Sequence, residues 1–171
     1  EVRGGDRYSV RPPGALLFSD AATAGLTVAA SLKLWQNRFR LSQENGTTMT
    51  DFAQRRVQMV DSQIRPSDVT KFPIIDAMLS VAREDFVPDD RRETAYMGEH
   101  VDLGQGRVVL DPRTLAKMLD ALDVQPDEMV LDIGAGLGYG AAVLARLADF
   151  VVALEEDTSL SAEAETALSE A

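Results

Sequence analysis

No cysteine occurs anywhere in the chain, and there is one histidine, His100. The first absence removes disulfide scaffolds, thiolate-bound zinc and thiol nucleophiles together. The second leaves no material for a histidine-rich metal site and argues against a Ser-His-Asp triad. Basic residues are also scarce, 17 Lys+Arg against 28 Asp+Glu for a formal charge of -11. A surface that coats nucleic acid needs clustered Lys and Arg, so no nucleic-acid partner is expected. Long apolar runs are missing too. The uncharged stretch 21–32 is too short, and too rich in Ala, Thr and Ser, to span a bilayer, so no membrane partner is expected. What is present suits an acidic globular protein of the cytoplasm: 171 residues, 45% apolar and 26% charged, enough to bury a core.

The charge is unevenly spread. Residues 1–48 carry 6 basic and 4 acidic side chains, whereas residues 49–171 carry 11 and 24. Arg11-Pro12-Pro13-Gly14 is a breaker cluster, and Asn45-Gly46 is a turn signal in the polar stretch 43–48. At Met49 the character changes at once. Residues 1–48 therefore read as a non-native or disordered N-terminal extension, with Met49 as the natural start.

From there, Ala53, Val57, Val60 and Ile64 form a helical stripe that should end before Pro66. Pro73 opens a second helix whose apolar face is Ile74, Ala77, Met78 and Val81. Residues 94–110 read as irregular or extended. Asp111 suits an N-cap with Pro112 at the first helical position, and Leu115, Met118, Leu119 and Leu122 follow at core spacing. Arg55-Arg56 and Arg91-Arg92 sit among acids and read as solvated faces. His100 reads as a surface side chain.

Met129-Val130-Leu131-Asp132-Ile133 has the composition of a buried strand. It meets Gly134-Ala135-Gly136-Leu137-Gly138-Tyr139-Gly140, then a helix from Ala141 to Leu147. A second strand, Phe150 to Leu154, ends in Glu155-Glu156-Asp157 and precedes an Ala/Glu-rich helix, Leu160 to Glu170. Strand, glycine loop, helix, strand and acid make the opening unit of a doubly wound sheet. Glycines at 134, 136 and 138 permit a tight turn and let a ligand approach bare backbone. Glu155, 21 residues after Gly134, lies where a carboxylate can accept bonds from both hydroxyls of a ribose. Gly136-x-Gly138-x-x-Ala141 also matches the dinucleotide fingerprint, so a nicotinamide or flavin dehydrogenase is an alternative. A plain structural turn is another.

Asp132, two residues before the loop, tips the balance. The Asp-Ile-Gly-Ala-Gly-Leu-Gly order resembles the first motif of class I S-adenosylmethionine-dependent methyltransferases, where an acid can sit near the cationic methionine end. Upstream stand Gln63-Ile64-Arg65, Phe86-Val87-Pro88, Ala95-Tyr96 and Gly104-Gln105-Gly106. In this order they resemble the protein-L-isoaspartate O-methyltransferase family over about Gln54 to Leu168. The resemblance implies carboxyl O-methylation of isoaspartyl residues in damaged proteins or peptides, a protein-repair role. The cofactor would be S-adenosylmethionine, held by Asp132, Gly134, Ala135, Gly136, Gly138, Tyr139 and Glu155, and no metal is implied.

One segment departs from the family pattern Gly-His-Gly-Gln-Thr-Ile-Ser-Gln-Pro. Here Val108 and Leu110 replace the Thr and Ser whose hydroxyls help hold the substrate carboxylate. Arg107 replaces the Gln and reads as a solvated surface arginine. A degenerate relative that binds cofactor or protein without isoaspartyl activity is the alternative function. The implied fold is a Rossmann-like doubly wound methyltransferase sheet with an N-terminal helical region. Such a sheet takes about six or seven strands, so the chain reads as truncated after the second strand-helix unit. Residues 49–112 would form the helical and substrate-side region. Residues 113–171 would be the first part of the cofactor domain, whose C-terminal part is missing.

Overall fold

The computed structural model describes residues 15–20, 29–30 and 51–170. The breaker cluster at 11–14, the polar stretch 43–48 and Met49 lie outside the described residues.

Helix α1 (Asp51–Met59) runs into a π turn, Val60–Ile64, and then a 3-10 turn, Arg65–Ser67. Pro66 does not stop the helix in advance. It occupies the first turn of the 3-10 segment, where no amide donor is needed, and the helical run ends at Asp68 in the left-handed region. The π turn adds a residue and rotates the face. Met59, Val60 and Ile64 are buried, while Val57 is half exposed. Helix α2 (Phe72–Ser80) matches its predicted face, with Ile74, Ala77 and Met78 buried and Val81 just beyond it.

Two 3-10 turns, Arg83–Phe86 and Asp89–Thr94, lead into a small antiparallel hairpin. Its strands are β3 (Val101–Gly104) and β4 (Arg107–Val109), within the stretch that read as irregular or extended. Helix α3 (Pro112–Leu122) starts as its sequence dictates, with the Asp111 carboxylate accepting from Thr114 N at 2.9 Å. Leu115 and Leu119 are buried, but Met118 and Leu122 are exposed, contrary to the expected core stripe.

Strand β5 (Met129–Ile133), the glycine loop, helix α4 (Tyr139–Leu144), strand β6 (Phe150–Glu155) and helix α5 (Thr158–Glu170) follow in the order read from the sequence. β5 and β6 pair in parallel, Met129 beside Phe150 and Ile133 beside Leu154. The N-terminal segment, given no element by its composition, contributes β1 (Ala15–Asp20), parallel to β6, and β2 (Ala29–Ala30), antiparallel to β1. The sheet order is β2-β1-β6-β5.

β5 is therefore an edge strand among the described residues. Its apolar run is not buried as expected: Met129 is 78% and Ile133 75% exposed. β6 sits between neighbours, and Val151 and Ala153 are wholly buried. The core spreads from α1 and α2 through Phe86 to Tyr139, Val143 and Val151. No helix among the described residues is long and apolar enough to cross a membrane.

Candidate cofactor and substrate site

The loop after β5 turns back sharply enough for Gly134 N and Ala135 N both to donate to Leu154 O, at 2.8 and 3.0 Å. Gly134, Gly136 and Gly138 all have positive φ. At Gly138 (φ 90°) a Cβ would come within 3.1 Å of Leu168 on α5, so this glycine also seats α5 on the loop.

Beside the loop is a cavity of about 320 Å³. Gly134, Ala135 and Gly136 give it a wall of bare backbone, and Asp132 supplies the only carboxylate on its lining among the described residues. Leu103, Leu115 and Leu119 make apolar sides. Val108 and Leu110, the two positions where the family pattern has hydroxyls, open on the same space. Loop and hairpin thus meet at one cavity. Bare backbone, one acid and apolar walls suit a ligand with flat apolar rings and a cationic centre.

Asp132 is mostly buried, and burial together with the nearby Glu155 carboxylate raises its pKa above the usual carboxylate value. Tyr139 lines the cavity but its ring packs elsewhere, 5.9 Å from Phe86, with the Arg83 guanidinium 4.8 Å over its face. Burial pushes the Tyr139 hydroxyl up. Gly138 lies behind the lining, against α5.

Glu155 is also behind it. The carboxylate is fully buried and accepts from Gly136 N at 2.8 Å and from Asp157 N at 3.0 Å. Its remaining positions are taken by Arg107, whose Nη1 lies 2.8 and 2.9 Å from the two oxygens. Arg107 Nη2 reaches Glu156 at 2.8 Å. The solvated arginine expected from the sequence is instead lodged against the acid at the tip of β6. A sequence signal existed, since Glu155-Glu156-Asp157 needs a counter-charge, but nothing local says which of 17 cations supplies it.

Arg56 is a second correction. It is not solvated: it donates to Glu84 at 3.0 Å and Tyr96 at 2.9 Å, and Tyr96 in turn donates to Glu84. Arg83 was missed altogether. It is fully buried and donates to Ala95 O and Leu110 O, tying the middle segment to the cavity rim. His100 is half exposed, and its Nδ1 accepts from Asp111 N. No group of three or more potential metal ligands occurs among the described residues.

The model of the protein-L-isoaspartate(D-aspartate) O-methyltransferase family matches residues 54–171. A protein-L-isoaspartate O-methyltransferase of Methylorubrum extorquens (strain PA1) is 39% identical over 110 residues, 64% of this chain and 48% of that protein. Protein-L-isoaspartate O-methyltransferase 2 of Anaeromyxobacter sp. (strain Fw109-5) is 36% identical over 162 residues, 95% of this chain and 62% of that protein. That match therefore reaches into residues 1–48. The chain spans about half the length of the curated relatives it matches. A crystal structure from Plasmodium falciparum, described as a beta-aspartate methyltransferase in complex with S-adenosyl-L-homocysteine, shares the fold. Its TM-score is 0.58 at 18% identity, covering 67% of this chain and 55% of that one.

Proposed function

Because the chain belongs to the protein-L-isoaspartate(D-aspartate) O-methyltransferase family, we propose that it carries the cofactor side of an S-adenosylmethionine-dependent carboxyl O-methyltransferase. Its substrates would be isoaspartyl residues in damaged proteins or peptides, in the cytoplasm. The observation that carries this reading is the single cavity shared by the glycine loop, Asp132, Val108 and Leu110.

Of the seven residues the resemblance implies, Asp132, Gly134, Ala135, Gly136 and Tyr139 line the cavity and would hold the cofactor there. Gly138 and Glu155 stand behind the lining, and Glu155 would take the ribose only once Arg107 leaves it. When bound, the cofactor supplies an electrophilic methyl on a sulfonium. A substrate carboxylate of pKa about 4 is already ionised at neutral pH, so the protein has no proton to remove. Its own work is to position the carboxylate and to exclude water with the apolar walls. Asp132 adds a negative charge beside the bare backbone, which favours a cation there.

Calorimetric titration with S-adenosylmethionine and with NAD tests the cofactor: the first should bind and the second should not. Isotopic methyl transfer to an isoaspartyl peptide, by a polypeptide as long as the relatives, tests the activity. A second reading, cofactor or protein binding without transfer, is favoured by Val108 and Leu110, which offer a buried carboxylate no donor. Val108→Thr with Leu110→Ser should therefore raise transfer by up to about 10²-fold and leave cofactor affinity nearly unchanged. A double variant no faster than wild type would remove both positions from the substrate site.

A further inference from the structure

We infer that Arg107 is a latch on the ribose-binding acid, so that the cofactor's ribose and the Arg107 guanidinium exclude each other at Glu155. The inference rests on the cofactor reading above and concerns how that site opens.

A carboxylate offers about four acceptor positions. On Glu155, two are held by backbone donors of the surrounding fold, Gly136 N and Asp157 N. Those bonds shape the loop and the strand end. The other positions, one on each oxygen, are both filled by Arg107 Nη1. A ribose diol needs those two. The guanidinium also stands over the loop itself, with Nη1 3.9 Å from where a Cβ on Gly134 would lie. Arg107 and the ribose compete for one place.

The hairpin itself is anchored, with Val101 and Val109 in the buried core and Leu110 O held by Arg83, so release of Glu155 falls to the Arg107 side chain. The hairpin reaches the loop through Arg107 and through Leu103, whose Cδ1 lies 3.4 Å from a Cβ placed on Gly136. Arg107 keeps a second partner outside the site, Glu156, which is mostly exposed. The guanidinium can leave Glu155 without being left uncompensated.

Val108 and Leu110 lie one and three residues beyond Arg107, on the same cavity. A ligand that removes Arg107 from Glu155 therefore acts beside the residues that face the substrate. Linkage makes this reciprocal: whatever holds Arg107 on Glu155 weakens cofactor binding by the same factor.

The test is titration of S-adenosyl-L-homocysteine into the wild-type chain, Arg107→Gln and Arg107→Lys, with melting temperatures of each, free and loaded. The free Arg107→Gln chain should melt lower, because a buried carboxylate loses its counter-charge. It should nonetheless bind the ligand about tenfold tighter or more, the factor that corresponds to about 1.4 kcal/mol, and so show a larger ligand-induced rise. Arg107→Lys keeps a point charge without the fork, and should fall between the two; it carries the test if the glutamine variant does not fold. Equal or weaker binding by the variants overturns the latch and leaves the cofactor reading standing. If none of the three chains binds the ligand, the cofactor reading fails and the latch with it.

Discussion

Asp132 shows how a single side chain can be costly for the fold and useful to a ligand. Its Oδ2 would sit 3.3 Å from a Cβ on Gly140, so the loop helix closes over it, and no charge of opposite sign lines the cavity among the described residues. Burial, reinforced by Glu155, raises its pKa. The native state therefore holds the Asp132 proton more tightly than the unfolded chain does. As pH rises from the unfolded pKa through the raised native value, stability is lost, and the full cost is in place above it. Asp132→Asn removes that dependence. The difference in melting temperature between variant and wild type, followed from about pH 4 to about pH 8, should move in the variant's favour as pH rises. A cationic ligand inverts the effect, since it favours the ionised form. Binding of S-adenosylmethionine to the wild type should tighten across the same range and stay flat in Asp132→Asn. A flat wild-type profile would mean that Asp132 does not face the cationic centre.

Among the elements, α1 is attached by one buried network. Arg56 and Glu84, with side chains 15% and 8% exposed, are joined by Tyr96. Removing one member of such a pair leaves the other buried and uncompensated, so Arg56→Ala should cost about 3 kcal/mol in urea unfolding. Arg55, its neighbour, pairs with Asp51 and Glu93 in the open, and Arg55→Ala should change little. Equal losses would show that the network adds nothing beyond surface pairing. Sequence reasoning placed both arginines on a solvated face because periodicity carries no information on tertiary partners. What it did read well was local chemistry: the Asp111 cap, Pro73 opening α2, and the strand–glycine loop–helix–strand order with Glu155 at its tip. It missed where a long-range or irregular feature decides. The π turn at Val60–Ile64 rotated the face of α1 and exposed Val57. Met129, Leu131 and Ile133 share a face of β5 that nothing among the described residues covers, so an apolar run of buried type stays exposed. The ion pair of Arg107, 48 residues from Glu155, had no local signature.

At the scale of the whole molecule, an exposed apolar edge and a large negative charge act against each other. β5 ends the sheet among the described residues, with Met129, Leu131 and Ile133 exposed beside Met118 and Leu122 of α3. An edge strand offers unpaired backbone donors and acceptors to any second strand, and the apolar side chains add a driving force once it pairs. The net charge of -11 opposes this, because two copies repel at long range. Repulsion between exposed charges is screened, with a Debye length of about 10 Å at 0.1 M salt, whereas apolar contact is not. Self-association of the chain should therefore grow with salt as well as with protein concentration, the reverse of what an interface made of ion pairs would do. Sedimentation equilibrium at low and high salt reads this directly. Leu131→Lys puts a charge in the middle of the exposed edge, as natural edge strands often do, and should abolish the association at both salt levels while leaving the melting temperature nearly unchanged. If Leu131→Lys associates as the wild type does, the contact lies elsewhere than β5. If association falls as salt is added, it is electrostatic, and the apolar edge does not drive it.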